Sequence, residues 1–190
     1  ELRQHHRHGH IHDIPSHDIA KKAIDDYLSH FYYSWTRNKE KKPVIAFYGG
    51  EPLLGFNIIK QTVEYVKLNY PQYSFNYSIT TNGLLLGDKE IADFLKENEF
   101  WVVVSIDGTK SNHDRYRVTR GGVPTYDRIM RIIEENFSLY DSIYSICCYD
   151  VQSDLVELME FYEKNDRRKG GKFPPVLRVS QINSAFTDFY

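Results

Sequence analysis

The sequence has only two cysteines, Cys147 and Cys148, and they are neighbours. That excludes a disulfide framework and offers no zinc-type spacing. No apolar run is long enough to cross a bilayer, and no secretory leader pattern opens the chain. Charge of neither sign dominates: the net value is −2. Such a balance argues against a nucleic-acid partner and against an anionic membrane. Together these absences lead to the expectation of a cytoplasmic, reducing setting.

What the chain does have is tyrosine and phenylalanine in quantity, which suits a packed body. Its 190 residues are enough for one domain, or a large piece of one, with a proper core. Residues 17–35 carry apolar positions at Ile19, Ala20, Ala23, Ile24, Tyr27, Leu28 and Phe31, a helical spacing with Ser16 or His17 near its start. Similar patterns predict helices over 56–70, 88–98, 125–140 and 153–165. Between them lie β-branched and apolar runs that predict strands near 44–48, 75–81, 101–106, 143–150 and 176–182. Strict alternation predicts a parallel sheet with helical crossovers, and near-continuous apolar strands predict cover on both faces. An open doubly wound sheet and a (β/α) barrel or part-barrel both fit. A β/α unit normally begins with a strand, so the reading expects an opening strand upstream of the first helix.

In either architecture ligands gather at the carboxyl ends of the strands. Three polar turns fall there: "GGE" after the first strand, "TTNG" after the second and "SIDG" after the third. One such turn is ordinary, because Asn-Gly and Asp-Gly are common turn formers. Three on one rim suggest a site. In "AFYGGEPLL" an apolar run stops at Gly49 and Gly50, where a ligand can approach a backbone without Cβ. Glu51 then offers a negative charge, and Pro52 biases it toward an extended conformation.

"FYGGEPLL", "ITTNGLLL" and "VSIDGTKSNHDRYR", in this order and at helix-length separation, resemble the core of radical S-adenosylmethionine enzymes. The similarity is greatest to the peptide- and protein-modifying branch of anaerobic sulfatase-maturating enzymes and thioether-forming maturases. It runs from about residue 17 to about residue 150, with "LRVSQINSAFTDFY" in the same style. The resemblance implies a partial (β/α)6 TIM-like barrel over 17–190. It implies S-adenosylmethionine and a [4Fe–4S] cluster as cofactors, and reductive cleavage that yields a 5′-deoxyadenosyl radical. A peptide or protein substrate and an electron donor such as flavodoxin or ferredoxin follow as partners.

Carried over residue by residue, Gly49, Gly50 and Glu51 hold the methionyl ammonium, and an unpaired carboxylate is expected at Glu51. Ser105 resembles the group that contacts the ribose. Asp107 either joins it or caps the turn at Gly108. Asn82 and Thr80 sit on the rim, Asn82 either in contact with ligand or as a positive-φ corner before Gly83. Arg117 either forks onto the methionyl carboxylate or pairs with Asp114 or Asp107.

The family's cluster loop, C-x-x-x-C-x-x-C, has no counterpart in these 190 residues. Cys147 and Cys148 are placed on a later strand, facing opposite ways, and cannot replace it. The expectation is therefore that the first strand and the cluster ligands lie upstream, and that this chain alone does not react. A cluster-free scaffold domain and a non-radical lyase or aldolase barrel remain as alternatives. Residues 1–16 hold His8, His10 and His12. They read as a flexible arm rather than a metal site.

Overall fold

In the computed structural model, residues 17–136 and 143–181 are described. The arm at 1–16 lies outside them, as does the end of the helix expected over 125–140. The order is α1 (His17–Arg37), β1 (Val44–Phe47), α2 (Phe56–Asn69), β2 (Asn76–Thr81), α3 (Lys89–Glu97), β3 (Trp101–Ser105), α4 (Lys110–His113), α5 (Tyr126–Asn136), β4 (Ile143–Tyr149), α6 (Leu155–Asn165) and β5 (Val176–Gln181). All five strands fall within one residue of the expected limits. The short α4, inside the turn after β3, was not foreseen. No helix among the described residues is long and apolar enough to cross a membrane.

Contacts divide the chain into two units. In the first, α1 and α2 carry a cluster of rings: Phe31 and Trp35 both meet Tyr73 edge-on, at centroid distances of 5.7 and 5.0 Å. The Asp25 carboxylate accepts from the Tyr65 and Tyr70 hydroxyls at 2.8 and 2.6 Å. These hydrogen bonds, with burial and the carboxylate's charge added, raise both phenol pKa values, since ionisation would give up the donated proton.

The second unit is the sheet with its helices. Strand order is β1-β2-β3-β4-β5, and every neighbouring pair is parallel. Sequence order equals spatial order, so no reversal of direction occurs, unlike a doubly wound sheet. Pairing Ala46 with Ser78, Thr80 with Val103, Ser105 with Ile146 and Cys148 with Ser180 defines two faces.

One face is closed. Tyr77, Ile79, Val102, Val104, Ile143 and Cys147 are buried there, and α3, α5 and α6 bury Leu95, Ile129, Ile133, Leu158 and Tyr162. Phe47, Tyr77 and Phe94 gather around Phe100, with Tyr77 stacked at 5.1 Å. The other face is open, against the expectation of cover on both sides. It carries Ser78, Thr80, Ser105, Ile146 and Cys148, all partly exposed, and Trp101 at 58% exposure. Only β3 is apolar and buried through its middle, from Val102 to Val104. β2 and β4 alternate buried and half-buried residues along their length, so their apolar content overstated the cover.

Gly83, in the turn after β2, shows how tightly the closed face is packed. Its φ is +85°, and a Cβ there would lie 2.8 Å from Val104 Cγ1 and 3.2 Å from Ile129 Cγ2. Gly83→Ala combines a left-handed penalty with overpacking. It should lower stability by about 2–4 kcal/mol, read as a shifted urea midpoint at unchanged slope.

Candidate active site

The carboxyl ends of β1 to β4 form a rim stitched together by side-chain carboxylates. β1 ends at Phe47, and Tyr48, Gly49 and Gly50 are exposed. Gly49 has φ +150°, which side chains rarely adopt, and no atom lies within 4 Å of where its Cβ would be. The space over this backbone is open.

Glu51 has no cationic partner among the described residues, as expected, but both its oxygens are held by hydrogen bonds. Oε1 accepts from the Leu53 N–H at 3.1 Å and the Thr81 hydroxyl at 2.7 Å, while Oε2 accepts from the Asn82 N–H at 2.7 Å. The exits of β1 and β2, thirty residues apart, are thereby joined. All three donors are neutral, and no Lys, Arg or His among the described residues pairs with Glu51. Its charge is fixed in place but not compensated.

Thr81 was not singled out from the sequence. It is 2% exposed, donates to Glu51 and accepts the Gly83 N–H at 3.1 Å. A threonine closing a strand carries no signal of a partner thirty residues back. Asn82 is not a positive-φ corner: Gly83 takes that conformation, and the Asn82 side chain accepts the Leu84 N–H at 2.9 Å.

Ser105 ends β3 on the open face, half-buried, with no partner for its hydroxyl among the described residues. Asp107, 4% exposed, takes the Arg117 fork through Nε and, at 3.1 Å, through a terminal nitrogen. It also accepts the Cys148 N–H at 2.7 Å, tying the β3 exit to β4. Of the alternatives for Arg117, its partner within the chain is Asp107. Asp107 and Arg117 therefore compensate each other, whereas Glu51 and Ser105 have capacity left.

His113 completes this corner. It is fully buried, and its Nδ1 accepts the Asp107 N–H at 3.3 Å. That leaves Nε2–H to donate to Thr125 Oγ1 at 3.0 Å, and Thr125 donates to the Arg117 carbonyl at 2.7 Å. Burial pushes the imidazole pKa down to about 4, against the pull of Asp107. A second network lies beside it. Asp150, after β4, accepts from Arg115 at 3.0 Å, the Tyr116 hydroxyl at 2.5 Å and the Gln152 N–H at 3.0 Å. Burial opposes ionisation of Asp150, and these donors outweigh it, holding the carboxyl below its usual range.

A matching family description, the Radical SAM superfamily, covers residues 35–162. The chain belongs to this superfamily. It is 32% identical over 133 residues to the cysteine-type anaerobic sulfatase-maturating enzyme of Clostridium novyi (strain NT), covering 68% of this chain and 35% of that enzyme. It is 32% identical over 121 residues to the serine-type enzyme of Bacteroides thetaiotaomicron, covering 62% of this chain and 27% of that one. Among solved structures, native anSMEcpe with bound AdoMet and Kp18Cys peptide superposes with a TM-score of 0.62 at 26% identity, over 74% of this chain and 38% of that one. The chain spans about a third of the length of the curated relatives it matches. It is thus a radical SAM domain related to anaerobic sulfatase-maturating enzymes.

Two predictions follow from the hydrogen bonds. Thr81→Val keeps shape but strands the Gly83 N–H and removes a donor from Glu51. Stability should fall by about 1–3 kcal/mol in chemical denaturation. The second concerns acid. His113 is neutral when folded with a pKa near 4, and the unfolded value is near 6.5. Between these values the unfolded chain binds more protons, so stability is full above about pH 6.5 and is lost as pH falls toward 4. The slope should approach roughly 1.4 kcal/mol per pH unit, and His113→Gln should flatten it.

Proposed function

We propose that residues 17–190 are the cofactor-binding core of a radical SAM maturase, curved as a partial (β/α)6 barrel, acting on a peptide or protein. The sequential parallel order of β1 to β5 supports the barrel reading. The observation that carries the function is the Glu51 carboxylate, held by three neutral donors and lacking a cation, beside the open backbone of Gly49.

These residues fit S-adenosylmethionine. Glu51 would take the methionyl ammonium through its remaining acceptor capacity, with Gly49 and Gly50 allowing close approach. The Ser105 hydroxyl and the Asn82 amide would contact the rest of the cofactor. Asp107 and Arg117 belong to the same site and would set the height and spacing of the β3 and β4 exits around it.

A [4Fe–4S] cluster does not fit the described residues. No group of three or more His, Cys, Asp or Glu side chains suited to a metal occurs among them. Cys147 is 1% exposed, with its thiol pKa pushed up to about 11 by burial, and Cys148 faces the other way. Cluster ligands upstream of this segment would supply the redox chemistry, with a flavodoxin or ferredoxin as electron source. Together the two cofactors supply a 5′-deoxyadenosyl radical for hydrogen abstraction from the substrate.

The test separates charge from support. In the protein extended through its upstream sequence and reconstituted anaerobically, Glu51→Gln should weaken S-adenosylmethionine binding by about tenfold or more in calorimetry. Thr81→Val, which loosens the support but keeps the charge, should hold affinity within roughly threefold while lowering the melting point. Equal losses of affinity in both variants, or none in Glu51→Gln, would refute the role of the charge. In addition, residues 1–190 treated with iron and sulfide alone should retain no cluster absorbance after desalting.

A further inference from the structure

Among the side chains of the described strands on the open face one is charged; Arg117, which reaches Cys148 there, is paired with Asp107. Along the described strands the face presents Val44, Ala46, Asn76, Ser78, Thr80, Trp101, Val103, Ser105, Tyr144, Ile146 and Cys148 without an ionisable acid or base of ordinary charge. On β5 it presents Arg178, paired in register with Ile146. Arg178 is exposed and makes no hydrogen bond or ion pair with a described residue. Ser105 lies in the same row, since it pairs with Ile146 from the other side. The Ser105 and Arg178 strands are two spacings apart, about 10 Å, so a ligand at Arg178 lies next to the cofactor space proposed at Ser105. Farther from the rim on the same face, Tyr144 stands one row lower and Trp101 two rows lower, with ring centroids 6.0 Å apart.

We propose that Arg178 binds a carboxylate on the peptide substrate, and that the Trp101–Tyr144 pair farther down the face seats an apolar residue of the same peptide. The proposal rests on the maturase reading above and adds a substrate class to it: a peptide with an acidic side chain close to the modified position. Charge complementarity selects this occupant, because a guanidinium without an acid partner among the described residues recognises a carboxylate bidentately. The cofactor's own carboxylate is a poor alternative. It is bonded to the carbon that bears the ammonium placed at Glu51, between β1 and β2. Arg178 stands on β5, three to four strand spacings away, roughly 14–19 Å along the sheet.

The experiment uses the 190-residue chain and follows the Arg178 Nε–H and Trp101 indole N–H signals by NMR. The probes are a capped tetrapeptide with one leucine and one glutamate, its glutamine counterpart, and S-adenosylmethionine. The glutamate peptide should shift both signals saturably, and the glutamine peptide should bind about tenfold more weakly. Arg178→Gln should weaken the glutamate peptide by the same factor at an unchanged melting point, because Arg178 supports nothing else. Equal binding of the two peptides, no saturable shift at millimolar peptide, or unchanged affinity in Arg178→Gln overturns the proposal. So does an Arg178 shift driven by S-adenosylmethionine and competed by the peptide, which would assign the carboxylate to the cofactor. The Asn82 amide reports the cofactor reading separately: its silence toward S-adenosylmethionine would count against that reading alone.

Discussion

At the carboxyl end of a parallel strand the ladder stops, and the exit turn exposes N–H groups that still need acceptors. Here carboxylates supply them. Glu51 takes the N–H groups of Leu53 and Asn82, Asp107 that of Cys148, and Asp150 that of Gln152. Two of the three reach across to a neighbouring exit, so the acid on one turn fixes the height of the next. The rim is consequently two stitched pairs of exits, β1 with β2 and β3 with β4, rather than a set of separate loops. Its geometry depends on these acids staying in place.

The three carboxylates differ in how their charge is met. Asp107 has the Arg117 fork and Asp150 has Arg115. Glu51 has hydroxyl and amide donors only. Neutral donors orient a carboxylate and stabilise its ionised form, but they leave a net negative charge on the rim. The uncompensated negative charge therefore lies at the β1–β2 junction and not at the β3–β4 corner. The same physical device, an acid stitching two exits, carries a compensated charge in one place and an uncompensated one in the other. The difference is a single arginine.

Local patterns in the sequence carried the elements well, because hydrophobic spacing and glycine-ended runs are local signals. The five strands, the parallel order and the three rim turns were legible for that reason. The partners of those turns were not. Thr81 meets Glu51 thirty residues away, and Cys148 meets Asp107 forty-one residues away. Neither pairing leaves a trace in spacing. His113, Asn112 and Ser153 look like ordinary loop polars in the sequence, yet His113 is fully buried and Asn112 nearly so. The open face was misread for a related reason. Residues such as Ile146 and Val103 are apolar whether they face a helix or a ligand space, so composition could not tell cover from vacancy.

That open face gives the architecture its functional asymmetry. The helices α3, α5 and α6 consume the apolar surface of one side of the sheet, and the side chains there are large and close-packed. On the other side small residues, Ser105, Cys148 and Ser180, stand at the ends of β3, β4 and β5 nearest the rim. Small side chains there leave backbone and hydroxyl groups uncovered. Larger rings, Trp101 and Tyr144, appear only farther from the rim. A ligand entering from the rim thus meets a polar, uncrowded zone first and an apolar one beneath it.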